Sequence, residues 1–527
     1  MSRAKAGSRR TAVIRNGSVL SVAPAGVLLG ILGAFAMGCG GGPPAETGGV
    51  KEHVVVPVAA VSQETANKFN VALDAFNAHD KAGDWSDPVC AQMAADFESA
   101  ASQQKGGKLP AATYDAGLAY QRCGDDKSAK AHFQEALAED PKNSYARAQL
   151  ALYQFKADNN EDAAIAGFQQ AVLDAQFQNV PALTDLAMFQ MQRDSAQGGQ
   201  GCKDDFDCAK QNLQRALAID DGYMPAFNQL ALLYFQAAKK RAGAVASSRR
   251  GRSMATNASI AKRADVQQLE LAALVCSQAI RKNPNYAPIH NTAGLIQNEL
   301  GQINGAVAEF ANAAKLDPHF FEAQMNYAAV NLSFRGFAQA QGAYEKAIEM
   351  RKNDYDAHLG LALALRGQID VSGTNYDQQV AAVQSELDAC KKIDESRPDV
   401  YYNEGILTQE YKAKAGGGKD ATITALNAAK AIFQKFVDRA SGKAEYEGAV
   451  KRSKERMQDI DDTITFLNTG AAPEPTAPAA PAPATSGAAA PASAPSGAAP
   501  DSAAAAPAGS APAAPAPAGG TPTSPPQ

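Results

Sequence analysis

The chain has 527 residues, of which 45% are apolar and 20% charged, with a formal net charge of −5, one Trp and seven Cys. A net acidic chain excludes general nucleic-acid binding, which needs Lys and Arg to neutralise phosphates. Seven Cys are too few to build a disulfide scaffold of this length. Charge is also unevenly spread: the first 38 residues hold five bases and no acid, so the remainder carries 45 bases against 55 acids, a net of −10.

Residues 1–38 read as an export signal. Arg3, Lys5, Arg9, Arg10 and Arg15 form a basic start, and Val19 to Met37 is a mostly apolar run broken by Pro24 and three glycines. A basic region, an apolar region and a small-residue exit describe a cleaved signal better than a membrane span. At that exit, Ala36-Met37-Gly38-Cys39 resembles the lipobox of bacterial lipoproteins, although Leu is usual where Ala36 stands and a small residue where Met37 stands. The resemblance implies a lipidated Cys39; an ordinary signal or an uncleaved anchor is the alternative. Several acyl chains hold a protein firmly on a bilayer. Gly40 follows in place of Asp, which in such sorting implies the outer membrane. Residues 39–60 then read as a flexible tether.

The middle of the chain is helical by pattern. Period-2 alternation is almost absent, and no further stretch is long and apolar enough to span a membrane. Residues 61–109 read as a degenerate first hairpin around Phe69, Ala72, Phe97 and Ala100. Residues 111–143 divide into two amphipathic helices about a turn at Gly124-Asp125. Gly117 and Tyr120 lie on the first, Ala129, Phe133 and Ala136 share a face of the second, and Pro141 ends it. Gly294, Ala306, Phe310, Ala313 and Pro318 repeat the set, then Ala328, Ala340, Tyr344 and Ala347. Pro284 to Pro318 and Ala313 to Ala347 are both 34 residues. This spacing and residue set resemble the tetratricopeptide repeat (TPR). The resemblance implies an all-α, TPR-type helical-hairpin solenoid, a right-handed superhelix, over residues 110–469. Small residues let paired helices approach, and aromatics fill the space between pairs.

Other copies are interrupted, notably at Ala187 with Ala209 and at Ala231 with Ala272, giving eight or nine hairpins. The charged stretch Glu445 to Leu467 suits a solvent-facing cap. Residues 470–527 are a Pro/Ala-rich tail: from Ala471 onward it holds 15 of the 28 prolines, no Lys and no Arg, and is expected to be disordered.

Catalytic and metal motifs are not found. His53, His79, His132, His290, His319 and His358 are scattered, without zinc spacing. Gly416-Gly417-Gly418-Lys419 lacks the Ser or Thr and the first Gly of a phosphate loop. We therefore expect no catalytic residues, no cofactor and no metal. Of the six Cys after Cys39, Cys202 and Cys208 flank a short acidic stretch within one turn and are the best disulfide candidates. Cys90 with Cys123 is a weaker pair, Cys276 occupies the core position of Phe133 and Phe310, and Cys390 has no assigned place.

Two surfaces are candidates for partners. Lys239 to Arg263 carries eight bases, including Arg249, Arg250 and Arg252, and no acid. It reads either as a solvated loop or as a docking site for lipid headgroups, cell-wall polymer or an acidic protein. The other is the first-helix face of the array. The position two before the small residue reads Asp115, Gln149, Asp185, Gln229, Thr292, Asn326, Gly360 and Asn403. A polar line suits an extended peptide, and a merely solvated face would be polar too. Asn291, Asn326 and Asn331, in the most regular copies, are the candidate peptide contacts.

Residues 79–85 (HDKAGDW), 116–124 (AGLAYQRCG) and 185–193 (DLAMFQMQR), with the lipidated start, resemble the TPR-repeat lipoprotein of the myxobacterial adventurous gliding-motility machinery, over roughly residues 62–467. The resemblance implies a scaffold lipid-anchored to the outer membrane and facing the periplasm, whose partners are other cell-envelope proteins of a motility complex. The Pro/Ala tail and the basic insert are not carried over. A TPR lipoprotein assisting pilus or outer-membrane protein assembly is the competing reading, and a cell-wall enzyme with TPR modules is disfavoured by the missing catalytic domain.

Overall fold

A computed structural model describes residues 61–104, 106–199, 201–248, 255–414 and 417–470, without the side chains of Lys81, 241–248 and 255–265. The signal, the tether, Cys39, Arg249, Arg250, Arg252 and the tail from Ala471 lie outside the described residues. The described residues up to Ile460 form one compact unit, and those from Asp461, the end of one helix, belong to a second.

Among the described residues the fold is all-α. The hairpins are α1 (Gln63–Ala82) with α2 (Asp87–Ser102), α3 (Pro110–Arg122) with α4 (Asp126–Glu139), α5 (Ser144–Asp158) with α6 (Glu161–Asp174), and α7 (Val180–Arg193) with α8 (Asp205–Ile219). They continue as α9 (Met224–Ser248) with α10 (Ala255–Lys282), α11 (Ala287–Glu299) with α12 (Ile303–Leu316), and α13 (Phe321–Ser333) with α14 (Phe337–Met350). Last come α15 (Tyr355–Arg366) with α16 (Tyr376–Ile393), α17 (Asp399–Glu410) with α18 (Gly418–Ala440), and a single α19 (Glu447–Thr469). From α1 to α18 each helix packs on the next helix in the chain, and first helices from α5 to α17 also touch the first helix of the following hairpin. This is a TPR-type helical-hairpin solenoid.

Local chemistry sets the helix ends. Asp125, Asn143, Asn160, Asn179 and Asp204 accept an N–H from the first turn of the helix each precedes, satisfying a donor the helix itself leaves unpaired. Asp140 and Asp317 are extended residues before proline, where the helical conformation is sterically disfavoured, so α4 and α12 stop there.

The small residues of the repeat have a direct steric reason. A Cβ on Gly117 would lie 2.7 Å from the Phe133 ring, one on Gly294 2.6 Å from Phe310, and one on Gly405 2.6 Å from Phe433. Phe133 and Phe433 are wholly buried, as are Ala129, Ala136, Ala306 and Ala313. Each fully buried large side chain contributes about 1.5–3 kcal/mol through the hydrophobic effect.

The insert between α9 and α10 is not the loop its composition suggests. α9 continues to Ser248 and α10 begins at Ala255, so most of Lys239 to Arg263 extends the helical pair. The sequence Lys-Arg-Ala-Gly-Ala-Val-Ala is helix-forming, and Gly alone at one position does not stop a helix.

Candidate protein-interaction surface

The polar line of the first helices is largely an internal seam. Asp115, Gln149, Asp185, Gln229, Asn291 and Thr292 are all buried, while Asn326 and Asn403 are half-buried. Across the seam, Thr292 Oγ1 donates to Asn228 Oδ1 at 2.7 Å, linking α11 to α9. Asn326 Nδ2 donates to Asn291 Oδ1 at 2.9 Å, linking α13 to α11. Further along, Gln121 Nε2 donates to Gln149 Oε1 at 3.1 Å. These side chains therefore tie successive hairpins together, because buried polar groups without partners are costly.

Of the three candidate asparagines, the structure brings Asn291 and Asn326 together and sets Asn331 apart. Asn331 Nδ2 donates to Tyr327 O one turn back at 2.8 Å, and its side chain lies against Gly336 in the hairpin turn. Sequence spacing could not separate these cases, since both positions are polar and both lie on α13. An amide has two donors and an acceptor with two lone pairs, so Asn326 keeps capacity beyond its bond to Asn291.

Asp115 is the exception in the seam. It is fully buried, and neither carboxylate oxygen has a hydrogen-bond partner. Burial pushes its pKa up to about 8, because the charged form is the one that loses hydration.

The stretches that carry the family resemblance are structural locks. In 79–85 and 116–124, Asp80 accepts two bonds from Arg122, each 2.7 Å, and a third from Trp85 Nε1 at 2.9 Å. Arg122 also lies 5.3 Å over the Phe76 ring. Beside this lock, Cys90 and Cys123 form a disulfide between α2 and the end of α3, with Cα atoms 6.3 Å apart. In 185–193, Arg193 makes paired bonds of 2.8 and 2.7 Å to Asp205 and a 2.8 Å bond to Asp162. Although burial pushes the Asp205 carboxyl up, Arg193 and the Ser195 N–H bring it below the usual carboxylate range. Sequence reasoning missed these locks because Asp80 and Arg122 are 42 residues apart, and no periodicity reports such a pairing.

Cys202 in the α7–α8 turn is bonded to Cys208 on α8, with Cα atoms 5.1 Å apart. Gln211 Nε2 donates to Gly201 O at 3.1 Å and fastens the same turn. Cys276 is a buried free thiol whose pKa burial pushes up. Cys390 is another, pushed up to about 12 by burial, and it takes the place on α16 that Ala136 takes on α4. A neutral, buried thiol behaves as a small apolar side chain.

Two histidines, His290 and His358, bridge the two helices of their hairpins. His290 Nδ1 lies 2.7 Å from Glu309 Oε2 and Nε2 lies 2.8 Å from Pro284 O. His358 sits likewise between Glu386 Oε2 at 2.6 Å and Lys352 O at 2.9 Å. Among the described residues no group of His, Cys, Asp and Glu is placed to hold a metal ion, and no helix is long and apolar enough to cross a membrane.

Comparison with known proteins agrees on the repeat. A tetratricopeptide repeat family model matches residues 111–143. No curated protein matches the chain. Among solved structures, a thermophilic TPR protein of Thermus thermophilus is 25% identical, covering 42% of this chain and 99% of its own at a TM-score of 0.33. PilF of Pseudomonas aeruginosa is 16% identical, covering 50% of this chain and 97% of its own at 0.33. A tetratricopeptide repeat protein of Parabacteroides merdae is 13% identical, covering 61% and 99% at 0.33. The α3–α4 hairpin is thus a tetratricopeptide repeat, and the hairpins stacked on either side of it extend its packing into a solenoid of the kind that holds other proteins.

Proposed function

We propose that the chain is an exported scaffold, lipid-anchored through Cys39 to the outer membrane and facing the periplasm, that holds other cell-envelope proteins in a gliding-motility complex. The observation that carries the export reading is the pair of disulfides, Cys90–Cys123 and Cys202–Cys208, inside the folded array. Such bonds persist in oxidising compartments and are rare in the reducing cytosol. The motility assignment rests on the three sequence stretches named above, whose Asp80, Arg122 and Arg193 fix the geometry of the first hairpins. Partners would be held on the first-helix face, where Asn326 retains hydrogen-bonding capacity.

The test has two arms. Cys39→Ser should leave uncut precursor and move the protein out of the detergent phase of a Triton X-114 extraction; unchanged partitioning would sink the lipoprotein reading. Crosslinking in intact envelopes followed by pull-down should then recover motility components. Recovery of secretin or pilin proteins in their place would favour the assembly reading.

A further inference from the structure

The two ends of the solenoid are finished differently. Beyond α18 the chain supplies α19, whose Glu447, Lys451, Lys454 and Glu455 are exposed, as a solvated end helix should be. At the other end, α1 packs on α2 and is the first helix among the described residues. Val71 on α1 is 69% exposed, the second most exposed large apolar residue among the described ones after Val371. It stands over an open groove of about 380 Å³ whose walls include Lys68, Val71, Ala72 and Ala75 of α1 and Asp96 and Ser99 of α2.

We propose that this groove is filled by the chain's own residues 54–60, which precede the described structure. The sequence there is Val-Val-Val-Pro-Val-Ala-Ala, seven residues without a charge or a polar side chain. Left in water, such a stretch exposes apolar surface whose burial is favourable. Its attachment point is already at the groove. Val61, the next residue, packs against the cluster that contains Phe69, Ala72 and Phe97, and Ser62 N donates to Gln104 Oε1 at 3.4 Å, just past the end of α2.

The lengths agree. From Val61 to Ala75 along a helix is about 21 Å at 1.5 Å per residue. Seven extended residues reach about 23–25 Å, so the segment spans the groove once and no further. In extended form Val54, Val56, Val58 and Ala60 share one face, which can lie on Val71, Ala72 and Ala75. Ser62 is extended and caps α1 by accepting from Thr65 N, so the segment does not simply prolong the helix. The segment thereby does for the first hairpin what α19 does for the last.

The docking does not depend on lipid attachment, but its consequence does. With Val54 fixed, the free tether from Cys39 shortens to residues 40–53. A flexible chain of that length has a root-mean-square span of about 20 Å. The first hairpin would then sit close to the bilayer surface.

The experiment uses the full exported chain with Val71 replaced by the photo-crosslinking residue p-benzoylphenylalanine, and mass spectrometry of the products. The expected product is a crosslink within one chain to residues 54–60. Val56→Asp with Val58→Asp should lower its yield more than tenfold, while Val55→Asp, on the opposite face, lowers it less. Crosslinks to α1 of a second copy would overturn the proposal in favour of a dimer through this face, and so would no crosslink at all, or a yield indifferent to the Val56 and Val58 changes. Repeating the measurement on Cys39→Ser separates the two ideas, since capping should survive when the anchor is absent.

Discussion

The first two hairpins and the pair formed by α11 to α14 solve the same packing problem by different means. In α11–α14 the 34-residue spacing is kept, and close packing does most of the joining, with the Asn326–Asn291 and His290–Glu309 bonds beside it: Gly294 admits Phe310, and Ala306, Ala313, Ala328, Ala340 and Ala347 are fully buried. Around α1–α4 the spacing is lost, since α1 runs to 20 residues and α2 to 16. There the chain adds a disulfide, the Asp80–Arg122 pair and the Trp85–Asp80 bond. The difference teaches that a repeat array needs extra bonds where its helices depart from the common register. Close packing is short-ranged, and α1 is about two turns longer than α11 or α13 and so runs past the common register.

The largest effect should come from removing the covalent part of the N-terminal lock. Cys90→Ala with Cys123→Ala opens a link of sequence separation 33 and should cost about 2–4 kcal/mol. Hydrogen exchange should localise the loss: amides of α1 and α2 exchange faster, while those of α11–α14 keep their protection. Equal loss in both regions would mean that the array melts as one cooperative unit and that the lock is not local.

The regular region should break through shape instead. Gly294→Ala forces a Cβ to within 2.6 Å of the Phe310 ring, an overpacking that costs about 1–3 kcal/mol. Gly342→Ala on α14 is the control, because nothing lies within 4 Å of the added atom. That change should stabilise by about 0.4–1 kcal/mol through the unfolded chain. Thermal unfolding of the two variants therefore should shift in opposite directions. Two gains of similar size would show that helix propensity, rather than the Gly–Phe contact, governs this region.

How much of this was legible in the sequence follows from the same physics. Gly117, Phe133, Gly294, Phe310, Ala340 and Tyr344 announce themselves because helix packing imposes a fixed period on small and aromatic residues. The polar residues of the first-helix face also show their period. Their burial, however, depends on how closely neighbouring first helices approach, and an alternation of Asp, Gln and Asn reads the same whether solvated or sealed. Asn331 and Asn326 differ only in where along α13 they fall. Asp80 with Arg122, and Asn228 with Thr292, are joined by tertiary proximity across one or two hairpins, which leaves no local trace. The helical reach of α9 and α10 into the basic insert was obscured for a different reason: charge without acid suggests a solvated loop, yet Lys, Arg and Ala are also good helix formers.

The smallest expected effect is a change in pH dependence within the regular region, and it tests whether that region is held by shape alone. His290 is 7% exposed and has an acceptor at each ring nitrogen, the Glu309 carboxylate at 2.7 Å and the Pro284 carbonyl at 2.8 Å. A neutral imidazole carries one N–H and can satisfy only one of them; both bonds form only when the ring is doubly protonated. The Glu309 hydrogen bond accordingly raises the His290 pKa above 6.5, against a lowering by burial. A group whose folded value is raised binds its proton more tightly when folded, so its stabilisation is full below the unfolded value of 6.5 and is lost as pH rises through the folded value. The gap in melting temperature between the wild type and His290→Gln should thus be wider at pH 6 than at pH 9. Asp115, also raised by burial, makes stability fall in the same direction, but it is present in both proteins and cancels in the gap. A gap that widens with pH would mean that the ring is held neutral, with the Pro284 carbonyl facing an unprotonated nitrogen, and that α11 and α12 are joined by packing without help from charge.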